Sequence, residues 1–417
     1  MQPVHAGHPW IYAQAVARVE GGAQVGDEIA VVDPRGTFLG RGFYSPKSAL
    51  PVRLLTRDRQ TPIDGAFFRE RLLQAAALRR AVALPSRDTT GYRLVHAEGD
   101  DLPGLIVDVF GDVCVVQFTT AGMKRREGFI LQALDELLRP KAVWDRTSRE
   151  VTKTEEFVPT GGTLRGDEDI TVLRFLERGL PFELPREISQ KTGFYFDQRP
   201  LRARVEELAD NRRVLDAYSF VGTFALAAAR GGAREVLSVD ESAIALSVGA
   251  DIARTQPWGN RITFERADAR AVLKRAAKDP YELVVCDPPK LVPRRAAKED
   301  GLLAYRKLYS DAVRATKPGG LLVACSCSGA VQMHDLVRAL ALGARDAERR
   351  AVVIERHFQG PDHPVPAAFP EGLYLKSVIA RIEARLCDRS PRCRPTRRSG
   401  SWGWPPTSMT LCWTRGC

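Results

Sequence analysis

The 417-residue chain has no uninterrupted apolar run approaching ~18 residues, the length that a membrane-spanning helix needs. Its first ten residues, MQPVHAGHPW, have neither the basic start nor the apolar stretch of a secretory signal. Its eight cysteines include no CxxC pair, which argues against a zinc site or a disulfide framework. These absences predict a cytoplasmic protein without a membrane partner, whose thiols are available for chemistry.

Charge of one sign is in modest excess. Lys and Arg number 62 and Asp and Glu 51, which gives a net charge of +11. Residues 387–417 supply six of the arginines and one aspartate, so the rest of the chain has 56 basic and 50 acidic residues. A basic chain favours a polyanionic partner, but an excess of this size is weak evidence for nucleic acid by itself.

The composition divides the chain into four segments. Residues 1–60 contain short β-rich stretches separated by turns, which predict a small β-barrel. Residues 61–185 begin with a helical period and continue as a small α+β domain. In 186–386 strands and helices alternate and a two-strand return closes the segment, which predicts an α/β, Rossmann-like open sheet with helices on both faces.

The fourth segment, 387–417, differs in composition from the rest of the chain. It holds four of the eight cysteines and three of the six tryptophans, and it has no helical or strand period. A disordered RNA-binding tail, a zinc-binding tail and a frame-shifted gene end are the competing interpretations. Trp and Cys are rare in disordered tails, so the last is favoured and no function is assigned there.

The first strand of the predicted sheet runs into a loop that suits a cationic ligand. Asp216 and Tyr218 begin this loop, and Gly222 is its only glycine, so the GxGxxG cradle for a pyrophosphate is missing. S-adenosylmethionine (SAM) carries a sulfonium and an ammonium group, which a carboxylate accommodates. We therefore predict SAM as the cofactor.

Two further acids end the next two strands. Asp240 ends the second strand, where an acid typically binds ribose hydroxyls, and Asp268 ends the third, where it can meet the adenine amino group. Alternatively, these acids only cap the helices that follow, and for Asp268 the two interpretations have equal weight. Taken together, the three strand-end acids favour the ligand interpretation.

The fourth and fifth strands end in residues suited to base chemistry. Asp287, Pro288, Pro289 and Lys290 follow the fourth strand, where a D-P-P loop presents a carbonyl and a carboxylate to a planar base; a strand-terminating turn is the alternative. Cys327 follows the fifth strand, and its thiolate can attack carbon 6 of a pyrimidine and make carbon 5 nucleophilic. We prefer Cys327 to Cys325 because it lies closer to the loop, and we interpret Cys114 and Cys286 as core thiols.

Several runs together resemble the bacterial 23S ribosomal RNA cytosine-5 methyltransferases over residues 7 to about 386. These are QKTGFYFDQR (190–199), DAYSFVGTFALAAARGGA, DPPK, SCSG (326–329), DHPV (362–365) and PEGLYLK (370–376). The resemblance implies an N-terminal PUA domain, a central α+β domain and a C-terminal class I methyltransferase domain. Only six residues precede Gly7, which leaves the barrel short of its first strand, and relatives end near Leu386.

The resemblance also implies roles for particular residues. It makes Cys327 the nucleophile and places Asp216, Asp240 and Asp268 around SAM. It places the run from Gln190 to Arg199 over the methionine end of the cofactor, through Phe196, Gln198 and Arg199.

On the RNA side, a PUA barrel would recognise shape and single-stranded features, and a ring carbon is reached only in an unstacked base. Candidate phosphate contacts in the barrel are Lys47, Arg53, Arg57 and Arg59, and after the D-P-P loop Lys290, Arg294, Arg295 and Lys298. For any single residue a solvated loop is the more common explanation. The sequence carries no readable signal for oligomeric state, and a homodimer stays open.

Three functions remain in competition. The first is RNA cytosine-5 methylation through Cys327, within which a uracil target stays open. The second is methylation of an amino group on a nucleobase or protein through the DPPK loop, which needs no thiol. The third is a non-catalytic RNA-binding protein that has kept the cofactor fold, which the strand-end acids oppose.

Overall fold

The computed structural model describes residues 2–188 and 193–384, and the segment 387–417 that we had set apart lies outside them. An N-terminal sheet, a central α+β unit and a seven-stranded α/β sheet follow one another along the chain. None of the helices in the described residues combines the length and hydrophobicity needed to cross a membrane.

The N-terminal part contains a four-stranded antiparallel sheet in the order β1-β4-β3-β2. Its elements are α1 Gln2–His5, β1 Trp10–Ile11, β2 Glu28–Val32, β3 Phe38–Tyr44 and β4 Val52–Thr56. One of the β-rich stretches that predicted the barrel is WIYAQAVARV (10–19). It is a strand only over Trp10–Ile11, because the chain then turns into a short 3-10 helix at Ala13–Ala15.

The central part is a five-stranded sheet in the order β5-β6-β7-β8-β9, next to a separate hairpin of β10 and β11. Its strands are β5 Gly91–His96, β6 Leu105–Phe110, β7 Val113–Phe118, β8 Ala142–Asp145, β9 Gly162–Gly166, β10 Val172–Glu177 and β11 Leu180–Pro185. Its helices are α2 Gly65–Ala81, α3 Ala121–Arg125, α4 Glu127–Leu138 and α5 Arg149–Glu155. Asp64 caps α2 by accepting from the Phe67 amide, so the helix begins where the sequence predicts.

The C-terminal part alternates strand and helix as predicted. Its strands are β12 Arg213–Ala217, β13 Glu235–Asp240, β14 Ile262–Arg266, β15 Tyr281–Cys286, β16 Thr316–Ser326, β17 Arg349–Phe358 and β18 Lys376–Ala384. Its helices are α6 Arg199–Leu208, α7 Thr223–Arg230, α8 Ala243–Arg254, α9 Ala269–Ala276, α10 Lys298–Ala315 and α11 Met333–Asp346.

The seven strands form one sheet in the order β14-β13-β12-β15-β16-β18-β17. The first five are parallel, and the last two pair antiparallel, which confirms the hairpin-like return. Neighbouring residues of β12 pack on opposite faces: Leu215 belongs to the core that α10 and α11 cover, and Val214 to the core that α6 and α7 cover. The sheet therefore carries helices on both faces, and apolar residues predominate in its central strands.

The start of β16 contains residues typical of a turn. Its sequence KPGG (317–320) favours a turn between helix and strand, but Thr316–Ser326 is one strand. The pairing of β15 with β16 shifts register between Tyr281 and Leu283, and Gly319 has a φ of +86°. The turn residues are therefore taken up in an irregularity of the strand, as in a β-bulge.

Candidate active site

The strand order reverses between β12 and β15, and open parallel sheets bind ligands at such a switch point, beyond the carboxyl ends of the strands. Asp216 is the penultimate residue of β12, and Asp287 follows the last residue of β15. The Asp287 amide donates to the Ala217 carbonyl at 3.5 Å, which ties the two loops together. These two predicted residues therefore flank the crevice.

Asp216 is almost fully buried, with 1% of its surface exposed. One carboxyl oxygen, Oδ2, accepts from the Ala225 amide at 2.9 Å, whereas Oδ1 is buried without a partner among the described residues. Burial, with smaller effects of the nearby Asp287 and Asp240, raises the pKa of this carboxyl to about 8. A bound cation would favour its anionic form.

The loop between β12 and α7 curls tightly. Tyr218, Phe220 and Gly222 have φ values of +65°, +53° and +72°, and the Ser219 amide donates to the Val239 carbonyl at 2.9 Å. A Cβ on Gly222 would lie 2.9 Å from the Phe264 ring, so this position needs glycine for space as well as for φ. The loop thus brings its backbone and the half-buried Tyr218 to the edge of the crevice.

Asp240 closes this loop from the neighbouring strand. Its Oδ2 accepts from the Phe220 amide at 2.8 Å and its Oδ1 from the Ser242 amide at 2.9 Å. Each oxygen keeps a lone pair for a further donor, such as a ribose hydroxyl.

Asp268 is an exposed helix cap in the structure. Its Oδ1 accepts from the Ala271 amide at 2.6 Å at the start of α9. The capping interpretation is therefore confirmed for one oxygen, and contact of the other with adenine stays a proposal.

Buried polar atoms without partners collect around this crevice. Among the described residues nine buried side-chain atoms lack a hydrogen bond, and five of them belong to Asp197, Gln198, Asp216, Ser219 and Ser238. Each such atom costs about 1–3 kcal/mol unless a ligand or water satisfies it. A ligand with an ammonium group, hydroxyls and a polar base fits this set, and SAM has all three.

The segment before α6 divides into residues that face the crevice and residues that do not. Gln198 donates from Nε2 to Asp287 Oδ2 at 2.9 Å and leaves its Oε1 unpartnered among the described residues. Tyr195 also lies here, because its hydroxyl interacts with the charges of Asp287, Asp197 and Cys327. Burial is the largest cause and, together with these charges, raises the pKa of Tyr195 to about 12. Sequence reasoning missed Tyr195, although it is part of the run that we singled out.

Phe196 and Arg199 are held by contacts inside the protein, and their predicted contact with the cofactor stays a prediction. Phe196 is 1% exposed and its ring packs 5.2 Å from that of Phe110 in an aromatic cluster. The Arg199 guanidinium donates to Asp362 at 3.1 Å, to the Gly91 carbonyl at 2.6 Å and to Glu177 at 3.3 Å. Both residues therefore fix the segment from inside, while Gln190, where the predicted run begins, lies outside the described residues.

The proline loop after β15 extends from the core to solvent. Pro288 is buried, whereas Pro289 and Lys290 are exposed. Val292, further along, donates its amide to Ser328 Oγ at 3.2 Å, which links this loop to the one after β16. The loop is therefore anchored at the sheet and open toward the surface.

The cysteines of the described residues differ in exposure. Cys114, Cys286 and Cys325 are buried, and burial raises the pKa of each thiol. Cys327 is only partly buried and follows the last residue of β16. Accessibility therefore favours Cys327 over Cys325, because Cys325 packs in the apolar core beneath α6 and α7.

Hydroxyl groups hold the loop that carries Cys327. Ser326 Oγ donates to Tyr305 Oη at 2.9 Å, and Tyr305 Oη lies 3.2 Å from Ser328 Oγ. Lys376 Nζ donates to the Ser328 carbonyl at 3.1 Å. Sequence reasoning missed Tyr305 and Lys376, although Lys376 ends the PEGLYLK run.

Most of the side chains predicted to contact phosphates already have partners within the protein. Lys47 pairs with Glu156 at 2.5 Å and Lys298 with Asp335 at 2.6 Å, and Arg53 pairs with Glu155 at 3.3 Å. Arg57 donates to the backbone carbonyls of Leu39 and His8, and the Arg59 guanidinium lies over the Phe38 ring. Lys290, Arg294 and Arg295 are exposed and make no ion pair within the described residues. The proline loop therefore presents exposed basic side chains without ion pairs, whereas in the N-terminal sheet Lys47 and Arg53 are paired and the exposed Arg57 and Arg59 make other contacts.

Two family matches cover most of the chain. Residues 2–57 match the PUA-like domain, and residues 93–375 match the S-adenosylmethionine-dependent methyltransferase family.

Curated relatives carry one name. Proteins called ribosomal RNA large subunit methyltransferase I are 36% identical in Citrobacter koseri over 382 residues and 33% identical in Pseudoalteromonas translucida over 378 residues. In both cases the alignment covers 90% of this chain and 95% of the relative.

Solved structures share the fold. A methyltransferase solved in complex with SAH has a TM-score of 0.78 at 18% identity, covering 91% of this chain and 97% of its own. A SAM-dependent methyltransferase from Streptococcus mutans has a TM-score of 0.77 at 18% identity, with the same coverage.

Proposed function

This chain belongs to the S-adenosylmethionine-dependent methyltransferase family, and we propose that it methylates carbon 5 of a cytosine in 23S ribosomal RNA through a covalent cysteine adduct. The observation that carries the proposal is the position of Cys327. Among the cysteines of the described residues, Cys327 is partly exposed and the others are buried. It follows strand β16, close to the switch point of the methyltransferase sheet.

Three features support RNA as the substrate. The relatives named ribosomal RNA large subunit methyltransferase I match over nearly their whole length. A PUA-like domain precedes the catalytic part. Lys290, Arg294 and Arg295 are exposed next to the proline loop, where they can contact phosphates near a base that has left its stack.

The residues around the crevice would hold the cofactor by its polar groups. Asp216 Oδ1 would take the ammonium group, Asp240 the ribose hydroxyls and Asp268 the adenine amino group. Gly222 and Tyr218 would lie against it through the curled loop, and Gln198 Oε1 offers a further acceptor. When bound, SAM supplies an electrophilic methyl group at its sulfonium.

Carbon 5 of cytosine needs activation before it can accept a methyl group. The Cys327 thiolate adds to carbon 6, so an S–C bond forms and the ring electrons make carbon 5 nucleophilic. Transfer of the methyl group to carbon 5 would break its bond to the sulfonium and leave a neutral thioether. A basic group or water would then take the carbon-5 proton, the S–C bond breaks and the thiolate is restored.

Asp287 and its prolines would position the base. Gln198 Nε2 donates to Asp287 Oδ2 at 2.9 Å, which fixes the carboxylate at the edge of the crevice. Pro288 and Pro289 restrict the backbone, so the loop presents its carbonyl and carboxylate with little entropy to lose. Both groups accept hydrogen bonds, which matches the exocyclic amine of cytosine.

The test is transfer of labelled methyl from SAM to unmodified 23S RNA, followed by digestion and identification of the labelled nucleoside. We expect the label in 5-methylcytidine. Label in a nucleoside methylated on its amino group would instead support the DPPK mechanism, and label in 5-methyluridine would change the target base. Binding of SAM and RNA without transfer, in protein that is folded, would support a non-catalytic role.

A further inference from the structure

Lys376 is a buried cation beside the thiol that the proposed mechanism uses. We propose that Lys376 is a positioning residue whose ammonium group keeps Cys327 in its reactive, anionic form. The inference rests on the proposed function in one respect only, the use of Cys327 as nucleophile.

Strand pairing brings the two residues together. In the antiparallel pair of β16 and β18, Lys376 lies opposite Ser326, the residue before Cys327. Lys376 Nζ donates to the carbonyl of Ser328, the residue after Cys327, at 3.1 Å, and to the Leu373 carbonyl at 3.4 Å. The ammonium group thus reaches across the backbone that carries the thiol, and its third N–H remains for another acceptor.

The burial of Lys376 needs compensation. Its residue is 1% exposed, and it makes no ion pair with a carboxylate within residues 2–188 and 193–384. Asp335, the nearby acid on α11, already pairs with Lys298 at 2.6 Å and accepts from the Gln332 amide at 2.8 Å. A buried ammonium bound only to neutral carbonyls is costly, so an adjacent thiolate is the charge that suits it.

The charges in the pocket point the same way. Burial lowers the pKa of Lys376 to about 8, while the negative charges of Cys327 and Asp335 act to raise it. The reciprocal effect is that the ammonium favours the Cys327 thiolate over the thiol. The negative charge of Asp287 opposes this effect of the ammonium group, since it raises the pKa of the neighbouring Cys325 and of Tyr195.

The uncharged neighbours matter as well. Tyr305 and Tyr195 also face the thiol, and burial raises the pKa of both hydroxyls, so they stay neutral in the range where Cys327 titrates. Lys376, in contrast, is charged, and its charge interacts with that of Cys327.

The pH dependence follows from these charges. Below the pKa of Cys327 the thiol is neutral and Lys376 is charged, so reactivity is low. Reactivity rises as the thiolate forms beside the ammonium. Without that ammonium the thiol pKa is higher, and the rise moves to higher pH.

The experiment measures alkylation of Cys327 by iodoacetamide between pH 5.5 and 9.5, with the Cys327 peptide followed by mass spectrometry. Peptide identity separates Cys327 from six of the other cysteines, and fragment ions within the peptide separate it from Cys325, which lies two residues away. In Lys376→Met we expect the midpoint of the rate to move up by at least about one pH unit, a tenfold loss of rate at neutral pH. Lys376→Arg, which keeps the charge, should restore the midpoint to within about half a unit.

Two further variants keep the result interpretable. Lys307→Met makes the same change at an exposed position of α10 and should leave the midpoint unchanged. Lys376→Gln removes the charge but can still donate to the Ser328 carbonyl, and it replaces the Met variant if that one does not fold. A folded, SAM-binding Met or Gln variant with the wild-type midpoint would overturn the proposal.

This readout does not depend on methyl transfer. If Cys327→Ala keeps its activity, the proposed function fails, but the alkylation midpoint still decides the role of Lys376. If the midpoint does not move while Cys327→Ala is inactive, only the role of Lys376 fails.

Discussion

The crevice at the carboxyl edge of the methyltransferase sheet and the N-terminal sheet differ in whether the side chains predicted to bind a ligand already have partners. At the sheet edge, buried atoms such as Asp216 Oδ1 and Gln198 Oε1 have no partner among the described residues. In the N-terminal sheet, the basic side chains that looked suited to phosphate, such as Lys47 and Arg53, already pair with carboxylates.

The difference separates binding groups from structural groups. An unsatisfied buried polar atom lowers the stability of the ligand-free protein and is retained where a ligand completes it. An exposed charge with an internal partner gains little and offers little to a new one. Two of the nine orphaned atoms belong to Arg41 of β3, so such atoms mark a site only where they cluster, as five of the nine do around the crevice.

The largest expected effect is on the thiol. Cys327→Ala should lower the rate of methyl transfer to 23S RNA by at least about 10³-fold, because carbon 5 is then not activated. SAM affinity, measured by calorimetry, should stay unchanged. Cys325→Ala is the matched control and should stay within about threefold of wild type, since Cys325 is sealed in the core. A nearly normal rate in Cys327→Ala would assign the chemistry to the amino-group mechanism.

The next effect tests the orphaned carboxyl. Asp216→Asn should weaken SAM binding by about 10- to 100-fold, the value of a hydrogen bond to a charged group. The raised pKa of about 8 also gives a sign. Below pH 8 the carboxyl must lose its proton to bind a cation, so wild-type affinity should rise with pH and level off above 8. In the Asn variant this rise should be absent, and its persistence would show that another group titrates.

The third effect compares the two basic regions directly. Arg294→Gln with Arg295→Gln should weaken RNA binding about tenfold and reduce the slope of log affinity against log salt by about 1–2. Lys47→Gln with Arg59→Gln removes the same charge from the N-terminal sheet and should change affinity by no more than about twofold. Equal losses in the two double variants would remove the distinction between the regions.

The smallest expected effect is at Asp268, which caps α9 and is also a proposed contact of the cofactor. Asp268→Ala should lower the free energy of unfolding by about 1 kcal/mol through loss of the cap on α9. Asp268→Ser, which can still cap, should restore the stability but leave SAM affinity about threefold lower. Full recovery of affinity in the Ser variant would make Asp268 a cap alone.

Sequence reasoning reached the fold of the C-terminal part because strand and helix periods are local signals. It also placed Asp216, Asp240 and Asp287, since in a parallel sheet the carboxyl ends of the strands meet at one edge. It did not reveal the internal contacts of Arg199, whose partners Gly91 and Asp362 are distant along the chain. Such pairings leave no periodic signal.

The same limit explains the residues that were missed. Lys376 acts across a strand pair with Ser326, and only the order β16-β18-β17 brings the two together. A Lys in an apolar strand is the available signal, since lysines are almost never fully buried without a reason. The internal contacts of Arg57 and Lys298 were also not predicted, because pairing is not visible in composition.

The central claim is the covalent adduct between Cys327 and the base. It is tested most directly with 23S RNA that contains 5-fluorocytidine, because fluorine cannot leave carbon 5 as a proton does and the S–C bond then persists. With SAM present, we expect a protein–RNA complex that survives denaturation, with the RNA linked to the Cys327 peptide. A protein that methylates ordinary RNA but forms no such complex, or forms it through another residue, would contradict the account.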